Sequence, residues 1–559
     1  MTESEADQDS PNPDESANVE SATDPALDRA SARQWIGFSF MALALLVIAL
    51  DLSITDVAVP SIVSDLGVSA DDASLVVTVY MVIASSFMVL LGKVSDLIGA
   101  RKAFLIGCLV FAFGSFVTGI APNFGMLILG RTIQGLVLAI TIPASLSLLN
   151  HEFPGGRSRV LAFSIWTAVI GSAMALGPLL GGFLSEYVSW RWAFFVNVPI
   201  MIAAFIGSVL TVRAVATTPK GKGFDVIGSI VLVFAVALIV FGIQEATALG
   251  WWVPEKTTLV GDAVPWNFSI SATPIMLAVG ILLLVAFAFI ERHRARKGLE
   301  VVLELKLFEV KSFTWGTGAA AFMTAGVFGL LLLIPLYAQY ILDKEPFGSG
   351  ITLAPLGVGM AIGGPIISRI NVPLRTTVVV TLAIQPIATL ALLPLIQPDA
   401  QGWWLAPILV IDGFAWGAAF SILVSMLLAD VPETLSGVAG GTQTAARLMA
   451  GAVGGAILTT ILLGSVSAQM SNVNESELSV QDQTEITELY EFSVQLSPPT
   501  TDSGDSVNEA RQIEAYDQVI EATKDDMSNG IRWALVGAAI LSMLGVLCGL
   551  KLEKAEEKA

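Results

Sequence analysis

The chain has 559 residues, of which 54% are hydrophobic and 14% are charged, and its mean hydropathy is +0.74. This composition excludes an ordinary soluble globular protein and indicates a chain that crosses a membrane many times. The net charge of −19 comes from residues 1–33 and 465–528, which carry −7 and −12 and leave the rest of the chain neutral. The acidity therefore belongs to one tail and one loop, and we expect no nucleic-acid partner.

Fourteen apolar runs in the sequence are long enough to cross a bilayer as helices. Runs of this length and continuity exclude a transmembrane β-barrel. We therefore predict an all-α polytopic membrane protein. The runs cover approximately residues 34–55, 72–92, 103–121, 124–148, 160–184, 194–213, 224–246, 272–291, 313–341, 350–369, 375–396, 403–428, 435–464 and 530–550.

The distribution of lysine and arginine predicts the orientation of the chain. With the N-terminus in the cytoplasm, 21 of the 29 basic residues lie on the cytoplasmic side. An even number of helices returns the C-terminus to that side, so both termini are expected in the cytoplasm and the 465–528 loop outside. No cleavable signal peptide is expected, because a polar tail precedes the first apolar run.

The two acidic segments are expected to differ in order. Residues 1–33 are rich in Ser, Asp, Glu, Asn and Pro, which predicts a disordered tail. The 465–528 loop is also polar, but it contains a helix-like stretch near Val507–Met527. We therefore predict a partly ordered hydrophilic loop there.

A short charged loop from Gly92 to Lys102, G-K-V-S-D-L-I-G-A-R-K, joins the second and third apolar runs. A chain that turns back at the membrane surface needs glycines that end a helix, here Gly92 and Gly99. It also needs an acid that can cap a neighbouring helix, here Asp96, and bases that stay in the cytoplasm, here Arg101 and Lys102. The G-x3-D-x2-G-x-R-K spacing closely resembles the loop after the second helix of major facilitator superfamily transporters. An ordinary positive-inside hairpin would explain the bases but not this spacing.

The resemblance implies the major facilitator fold, in which two six-helix bundles related by internal repetition enclose a site near the midplane of the membrane. Fourteen helices leave two over, so we expect an inserted pair between the bundles. The expected division is a cytoplasmic tail at 1–33, the first bundle at 34–213, the inserted pair and a linker at 214–311, the second bundle at 312–551, and a cytoplasmic tail at 552–559.

An acidic residue, Asp51, lies deep in the first apolar run, within A-L-D-L-S-I-T-D-V-A-V-P. A carboxylate at membrane depth must be paired, hydrated or protonated. The string resembles the L-D-x-T-I-V-N-V-A-L-P signature of the fourteen-helix drug:proton antiporters, the DHA2 family, which includes multidrug and antiseptic exporters. On this resemblance Asp51 binds the coupling proton, and a purely structural hydrogen bond is the alternative. Asp56 replaces the family's asparagine and is expected at a solvated outer mouth.

A basic residue, Arg131, lies in the fourth apolar run, L-I-L-G-R-T-I-Q-G-L, three positions before Gln134. An intramembrane arginine keeps its charge and therefore needs a partner. The string resembles the family's R-x-x-Q-G motif, whose arginine is tied to proton transfer. A static tether between helices is the alternative.

The fifth apolar run contains G-P-L-L-G-G, formed by Gly177, Pro178, Gly181 and Gly182. Small residues permit close approach of helices, and proline weakens the helical backbone. The string resembles the motif that separates exporters of the superfamily from importers. Two further strings resemble the same family: W-R-W-A-F-F-V-N-V-P (Trp190 to Pro199) and T-Q-T-A-A-R-L-M-A-G (Thr442 to Gly451).

Two departures from the family pattern lie in the second half. The loop after the tenth run, S-R-I-N-V-P-L-R, keeps Arg369 and Arg375 but lacks the acid and glycines of the first-half loop. Asp412, in I-L-V-I-D-G-F-A-W-G, is a deep acid without a counterpart in the pattern. Asp412 is either a second protonation or cation site or a hydrogen-bonded interior residue.

Polar, aromatic and thioether side chains on the helices are candidates for contact with a substrate, although ordinary packing also explains them. The candidates are Asp412, Gln134, Tyr80, Met88, Trp166, Phe322, Met323, Phe328 and Trp416.

The resemblance implies a proton-coupled antiporter that exports amphipathic small molecules by alternating access. We expect it to act as a monomer in a bacterial plasma membrane, driven by the proton gradient, without enzymatic activity, cofactor or metal. The lone Cys108 and Cys548 are expected to be packing residues. Export of a cell-envelope lipid or metabolite is the alternative within transport, and a membrane sensor that binds without turnover is the alternative outside it.

Overall fold

The computed structural model describes residues 30–68, 70–153, 156–213, 225–254, 258–259, 264–370, 373–429, 431–432, 435–470 and 506–552. Fourteen helices among these residues are long and apolar enough to cross a membrane, which confirms the number predicted from the apolar runs. The all-α class is also confirmed. Two short strands, β1 (Thr258–Leu259) and β2 (Val264–Pro265), pair antiparallel in one connection.

The first half of the chain contains six spanning segments. Ser31 starts the first helix with a capping box, because its Oγ accepts a hydrogen bond from the backbone N–H of Gln34. Residues 30–33 are therefore ordered, contrary to the expectation of disorder through residue 33, and the rest of that tail lies outside the described residues. The helices are α1 (Ala32–Leu66), α2 (Ala70–Ile98), α3 (Ala100–Gly119), α4 (Phe124–Glu152), α5 (Gly156–Tyr187), and the broken segment α6 (Trp192–Phe195) and α7 (Asn197–Thr211).

The inserted pair comprises α8 (Val226–Gln244), followed by the single turn α9 (Ala246–Leu249), and α10 (Ala272–Arg296). Asp225 caps α8 by accepting from the N–H of Gly228 at 2.8 Å, and it pairs with Arg294 Nε of α10 at 2.9 Å. Helix α8 also packs against α2, where Thr78 Oγ1 donates to Glu245 Oε1 at 2.7 Å. The inserted pair of helices therefore lies against the outside of the first bundle, with α8 on α2.

The second half repeats the arrangement of the first. It contains α11 (Lys311–Leu336), α12 (Pro346–Ile367), α13 (Leu374–Ala391), α14 (Ala406–Ala429), α15 (Ser436–Met470) and α16 (Ser506–Leu550). Helix α16 begins well before its apolar run, which confirms the helix predicted near Val507–Met527. The 465–528 segment is therefore helical at both ends, and residues 471–505 lie outside the described part of the chain.

The two halves meet along two seams, α2 with α15 and α5 with α12. Glycines permit the close approach. A Cβ built on Gly92 would lie 2.9 Å from the carbonyl oxygen of Gly437, and one built on Gly350 would lie 2.9 Å from the backbone nitrogen of Leu179. Within each half the contacts recur in the same order: α1 with α5, α2 with α4 and α3 with α4 correspond to α11 with α15, α12 with α14 and α13 with α14.

The two ends of the bundle are distinguished by their charges. We call the end that carries Lys93 and Arg101 the basic face, and the end that carries Asp65 and Arg191 the opposite face. On the opposite face Asp65 forms an ion pair with Arg191 and accepts from Trp190 Nε1 at 3.2 Å. The hydrogen bond from Arg191 holds the pKa of Asp65 below its ordinary value. The pair's stabilising effect is therefore complete above the ordinary carboxyl pKa and is lost as the pH falls through the lowered one.

Candidate functional site

A buried ion pair joins α1 to α4. Asp51 is 1% exposed and Arg131 is fully buried, and Arg131 Nη1 lies 2.5 Å from Asp51 Oδ2. Arg131 Nε donates to the carbonyl oxygen of Val76 at 3.1 Å, and its Cζ lies 4.2 Å from the centre of the Tyr80 ring. Asp51 thus provides the partner that an intramembrane arginine needs.

The second carboxylate oxygen of Asp51 is also satisfied. Its Oδ1 accepts hydrogen bonds from Gln134 Nε2 at 2.8 Å and from Asn197 Nδ2 at 2.9 Å. Gln134 Nε2 also donates to Ser115 Oγ at 2.9 Å, and Gln134 Oε1 accepts from Arg131 Nη1 at 3.2 Å. We call Asp51, Ser115, Arg131, Gln134 and Asn197 the Asp51 cluster. It joins four segments of the first half: α1, α3, α4 and α7.

Two members of the Asp51 cluster change the sequence-based expectations. Gln134 was expected to contact substrate, but both ends of its amide are engaged within the cluster. Asn197 was not selected from the sequence as a site residue, although it is the asparagine of the W-R-W-A-F-F-V-N-V-P string. The break between α6 and α7 falls immediately before it.

A small cavity of about 60 Å³ lies between the two halves. A cavity of this volume holds only a few water molecules, and the halves are in contact at both seams, so we call this conformation closed. Three of the predicted aromatic residues line it: Trp166, Phe328 and Trp416. The other lining residues are Ile48, Ala49, Leu52, Leu138, Ile142 and Ile170 from the first half, and Thr324, Thr444, Arg447 and Leu448 from the second.

The remaining aromatic and thioether candidates do not line this cavity, because each packs against a neighbouring helix. Tyr80 lies over Arg131, and the buried Met88 lies in the seam where α15 approaches the α2 backbone. On α11, the carbonyl oxygen of Met323 accepts from Gln385 on α13, and a Cβ built on Gly545 of α16 would lie 3.6 Å from Phe322 Cβ. Their contact with a substrate stays a prediction.

Asp412 is fully buried within the second half and does not line the cavity. Its Oδ2 accepts from Thr389 Oγ1 of α13 at 2.8 Å, and its Oδ1 has no hydrogen-bond partner among the described residues. The hydrogen-bonded interior position, one of the two alternatives, is what the structure shows; protonation of Asp412 stays a prediction.

Arg447 is the arginine of the T-Q-T-A-A-R-L-M-A-G string and was not selected as a site residue, and the structure places it in the cavity wall. It is 8% exposed, and its Cζ lies 4.0 Å from the centre of the Phe420 ring. The T-Q-T-A-A-R string was the available signal, but a sequence does not show which side of a helix faces the other half.

The Gly92–Lys102 segment, predicted as a loop, is almost entirely helical, because α2 continues to Ile98 and α3 begins at Ala100. Gly92 therefore lies within α2 and does not end it, whereas Gly99 separates the two helices as expected. The segment connects the halves on the basic face. Asp96 Oδ2 accepts from the N–H of Val438 at 3.1 Å, in the first turn of α15. The cap predicted for a neighbouring helix therefore crosses from one half to the other. A Cβ built on Gly437 would lie 2.1 Å from Asp96 Oδ1, so a larger residue here would displace this carboxylate.

The rest of this segment turns the chain at Gly99 and anchors it within the first half. Gly99 has a φ of 94°, which favours glycine. Arg101 Nη2 donates to the carbonyl oxygen of Val209 in the last turn of α7 at 2.8 Å, while Lys102 is exposed. Lys93 lies 3.7 Å from Glu300, in the segment after α10.

The G-P-L-L-G-G motif places α5 against α1 close to Asp51. A Cβ built on Gly177 would lie 1.9 Å from Ser53 Oγ, and one built on Gly181 would lie 2.9 Å from the carbonyl oxygen of Ile54. Pro178 lies inside α5, and Gly182 is buried there. The motif therefore sets the distance between α1 and the seam that α5 forms with α12.

Comparison with known families assigns this architecture. The family model of the Major Facilitator Superfamily matches residues 41–455. The chain belongs to the Major Facilitator Superfamily. It is thus a multi-pass membrane transporter, and its relatives place it in the drug:proton antiporter family of that superfamily.

Three bacterial superfamily members illustrate the similarity. The puromycin resistance protein of Streptomyces alboniger is 31% identical over 81% of this chain and 86% of its own length. The multidrug resistance protein Stp of Mycobacterium tuberculosis (strain CDC 1551 / Oshkosh) is 27% identical over 91% of this chain and 90% of its own. The multidrug export protein EmrB of Escherichia coli (strain K12) is 26% identical over 78% of this chain and 81% of its own length.

A solved structure shows the same fold. The human organic anion transporter MFSD10 superposes with a TM-score of 0.56 at 13% identity, covering 93% of this chain and 99% of that protein. At this identity the likeness supports the fold alone.

Proposed function

We propose that the protein is a proton-coupled antiporter that exports amphipathic small molecules across a bacterial plasma membrane. One observation carries the proposal: α1 bears Asp51 in a buried polar cluster and also bears Ile48, Ala49 and Leu52 in the cavity wall. A change in the bonding of Asp51 therefore acts on the same helix that contacts a substrate in the cavity.

The Asp51 cluster suits proton exchange because a buried carboxylate needs either a cation or a proton. In the closed conformation Arg131 supplies the cation. Exchange of Arg131 for a proton would free the guanidinium and loosen α1 from α4. Each entering proton supplies about 1.4 kcal/mol per pH unit and about 2.3 kcal/mol per 100 mV of membrane potential.

Alternating access would act at the two seams. On the basic face, the Asp96 contact with α15 holds α2 and α15 together, so opening on that side requires this contact to break. We propose that the basic face and both termini are cytoplasmic, since lysine and arginine collect there. Residues of one chain supply both walls of the cavity, so we propose a monomer that needs no cofactor.

The relatives support export of drug-like compounds, because their names describe antibiotic resistance and multidrug export. The test is transport in proteoliposomes with an imposed pH gradient and a panel of anionic, neutral and cationic amphipathic dyes. We expect accumulation of at least one dye and its loss when nigericin collapses the gradient. Equal accumulation with and without the gradient would exclude proton coupling.

A further inference from the structure

Two side chains that line the cavity between the halves carry hydrogen-bond donors that no described residue satisfies. Arg447, on α15, has no acceptor for its buried Nε and Nη1 among these residues. Trp416, on α14, is 1% exposed, and its indole N–H also has no acceptor there. Both residues line the same cavity, so each unused donor lies on a side chain that borders it.

Arg447 also lacks a counter-ion within the described ranges, where the ion pairs join other residues. Asp51 is already paired with Arg131, and Asp412 accepts its hydrogen bond from Thr389. A buried cation without a counter-ion is costly. Its contact with the Phe420 ring offsets part of this cost but provides no hydrogen-bond acceptor.

The walls around these donors are aromatic and apolar. The rings of Trp416 and Phe420 are 4.9 Å apart, and those of Trp166 and Phe420 are 6.2 Å apart. Phe328 closes the cavity from α11. A ligand that suits this space has an acceptor-rich charged group joined to an apolar, preferably aromatic, body.

We propose that the cavity binds the acidic group of an amphipathic aromatic substrate, a carboxylate or similar oxyanion, against Arg447 and the indole N–H of Trp416. This inference rests on the proposed export function and specifies its substrate class. A planar guanidinium matches a carboxylate in geometry as well as in charge. The closed cavity, at about 60 Å³, has room for such a group but not for a whole drug-sized molecule.

Equilibrium binding tests the proposal without a proton gradient. The probes are radiolabelled 2-naphthoate, 2-naphthamide and 2-naphthylmethylammonium, which share one ring system and differ in charge. They are titrated against the full-length protein in nanodiscs, with empty nanodiscs to subtract partitioning into lipid. We expect naphthoate to bind at least about tenfold more tightly than the other two probes, equivalent to about 1.4 kcal/mol.

Substitutions assign that preference to the cavity. Arg447→Gln is expected to abolish it while leaving naphthamide binding within about twofold, and Arg447→Lys should retain part of it. Trp416→Phe removes the indole N–H together with the five-membered ring that carries it, so it should weaken naphthoate binding several-fold more than naphthamide binding. Arg369→Gln removes an exposed arginine outside the cavity and serves as the matched control with no expected effect.

Three outcomes would overturn the proposal. The wild-type protein could bind the three probes equally, or Arg447→Gln could weaken all of them equally, which would make Arg447 a structural residue. Chloride or phosphate alone could bind with the same dependence on Arg447 and displace naphthoate, which would assign the site to an inorganic anion. Because no gradient is applied, a failure of proton coupling leaves this test unaffected.

Discussion

Each half of the transporter holds a buried aspartate and a buried arginine on its spanning helices, and the two halves arrange them differently. In the first half, Asp51 and Arg131 form an ion pair supported by two amide side chains. In the second half, Asp412 faces α13 while Arg447 faces the cavity, and the structure shows no ion pair for either within its described residues.

The difference indicates a division of roles between the halves. A paired buried charge is stable without a ligand, whereas an unpaired one depends on an outside partner. The first half therefore carries charges suited to exchange with a proton, and the second half carries a cation suited to a substrate. The internal repeat supplies the same helices to both halves, but the side chains on them differ.

The loops on the basic face make the same comparison on a smaller scale. Arg101, at the start of α3, donates to the end of α7, and Arg375, at the start of α13, donates to the carbonyl oxygen of Leu550 at the end of α16 at 2.9 Å. The arginine thus has the same contact in both halves. Asp96, which reaches the opposite half, has no counterpart in the loop after α12.

The largest expected effect is that of Asp51→Asn, which breaks the paired arrangement of the first half. Arg131 would be left as a buried cation without its counter-ion, at a cost of about 3–5 kcal/mol in unfolding free energy. We also expect the loss of gradient-driven export, because asparagine does not titrate. Thermal unfolding in detergent and transport in proteoliposomes measure the two effects.

Asp65→Asn is the matched control for this change on the same helix. Its ion pair with Arg191 is partly exposed to solvent, so the cost should not exceed about 1 kcal/mol and export should continue. Wild-type export by Asp51→Asn would remove Asp51 from the coupling mechanism.

Gly437→Ala should have the second largest effect, because it pushes the two halves apart at the Asp96 contact. Asp96 belongs to the first half, and the second half has no acid at the corresponding position. The new methyl group would collide with the Asp96 carboxylate, and overpacking of this kind costs about 1–3 kcal/mol. We expect the basic face to open more often. A cysteine at the buried Leu146 position, in a chain lacking Cys108 and Cys548, should then react several-fold faster with a maleimide.

Gly455→Ala controls for the loss of a glycine from the same helix. A Cβ built on Gly455 meets nothing within 4 Å, so this change should leave the labelling rate unaltered. Equal labelling in both variants would show that the Asp96 contact does not hold the basic face closed.

Arg101→Gln and Arg375→Gln test whether the repeated arginines contribute equally. Arg101→Gln removes the cation that contacts the C-terminal end of α7, and Arg375→Gln removes the one that contacts the C-terminal end of α16. Each change should lower the unfolding free energy by about 0.3–1 kcal/mol. Thermal melting of the two variants, alone and combined, measures the losses. A loss several times larger in one variant would show that the repeat conserves the contact but not its energetic role.

The sequence predicted the helices well but not their full lengths. Apolar runs reveal the part of a helix that lies in the hydrocarbon layer, so the number of spans was correct. The extensions of α1 to Leu66 and of α16 back to Ser506 consist largely of residues outside that layer, where hydropathy gives no signal.

The functional residues were predictable by type but not by pairing. Asp51 and Arg131 were identifiable because ionisable groups in a membrane are costly, yet the 80 positions between them conceal their contact. Asn197 is uncharged and gave a weaker signal. The importance of Arg447 depends on the lack of a neighbouring acid in the described structure, which only a three-dimensional arrangement can show.

A small effect is expected of Asp412→Asn, which makes in the second half the same acid-to-amide change that Asp51→Asn makes in the first. Asp412 pairs with no cation within the described part of the chain, and the amide oxygen of asparagine can still accept the hydrogen bond from Thr389. No buried cation is left behind, so the loss of unfolding free energy should not exceed about 1 kcal/mol. Gradient-driven export should also persist, because Asp412 lies outside the cavity and the Asp51 cluster. Thermal melting and proteoliposome transport, run beside Asp51→Asn, make the comparison direct. A folded Asp412→Asn variant that has lost gradient-driven export would identify Asp412 as a second protonation site, and the proposed division between the halves would then be wrong.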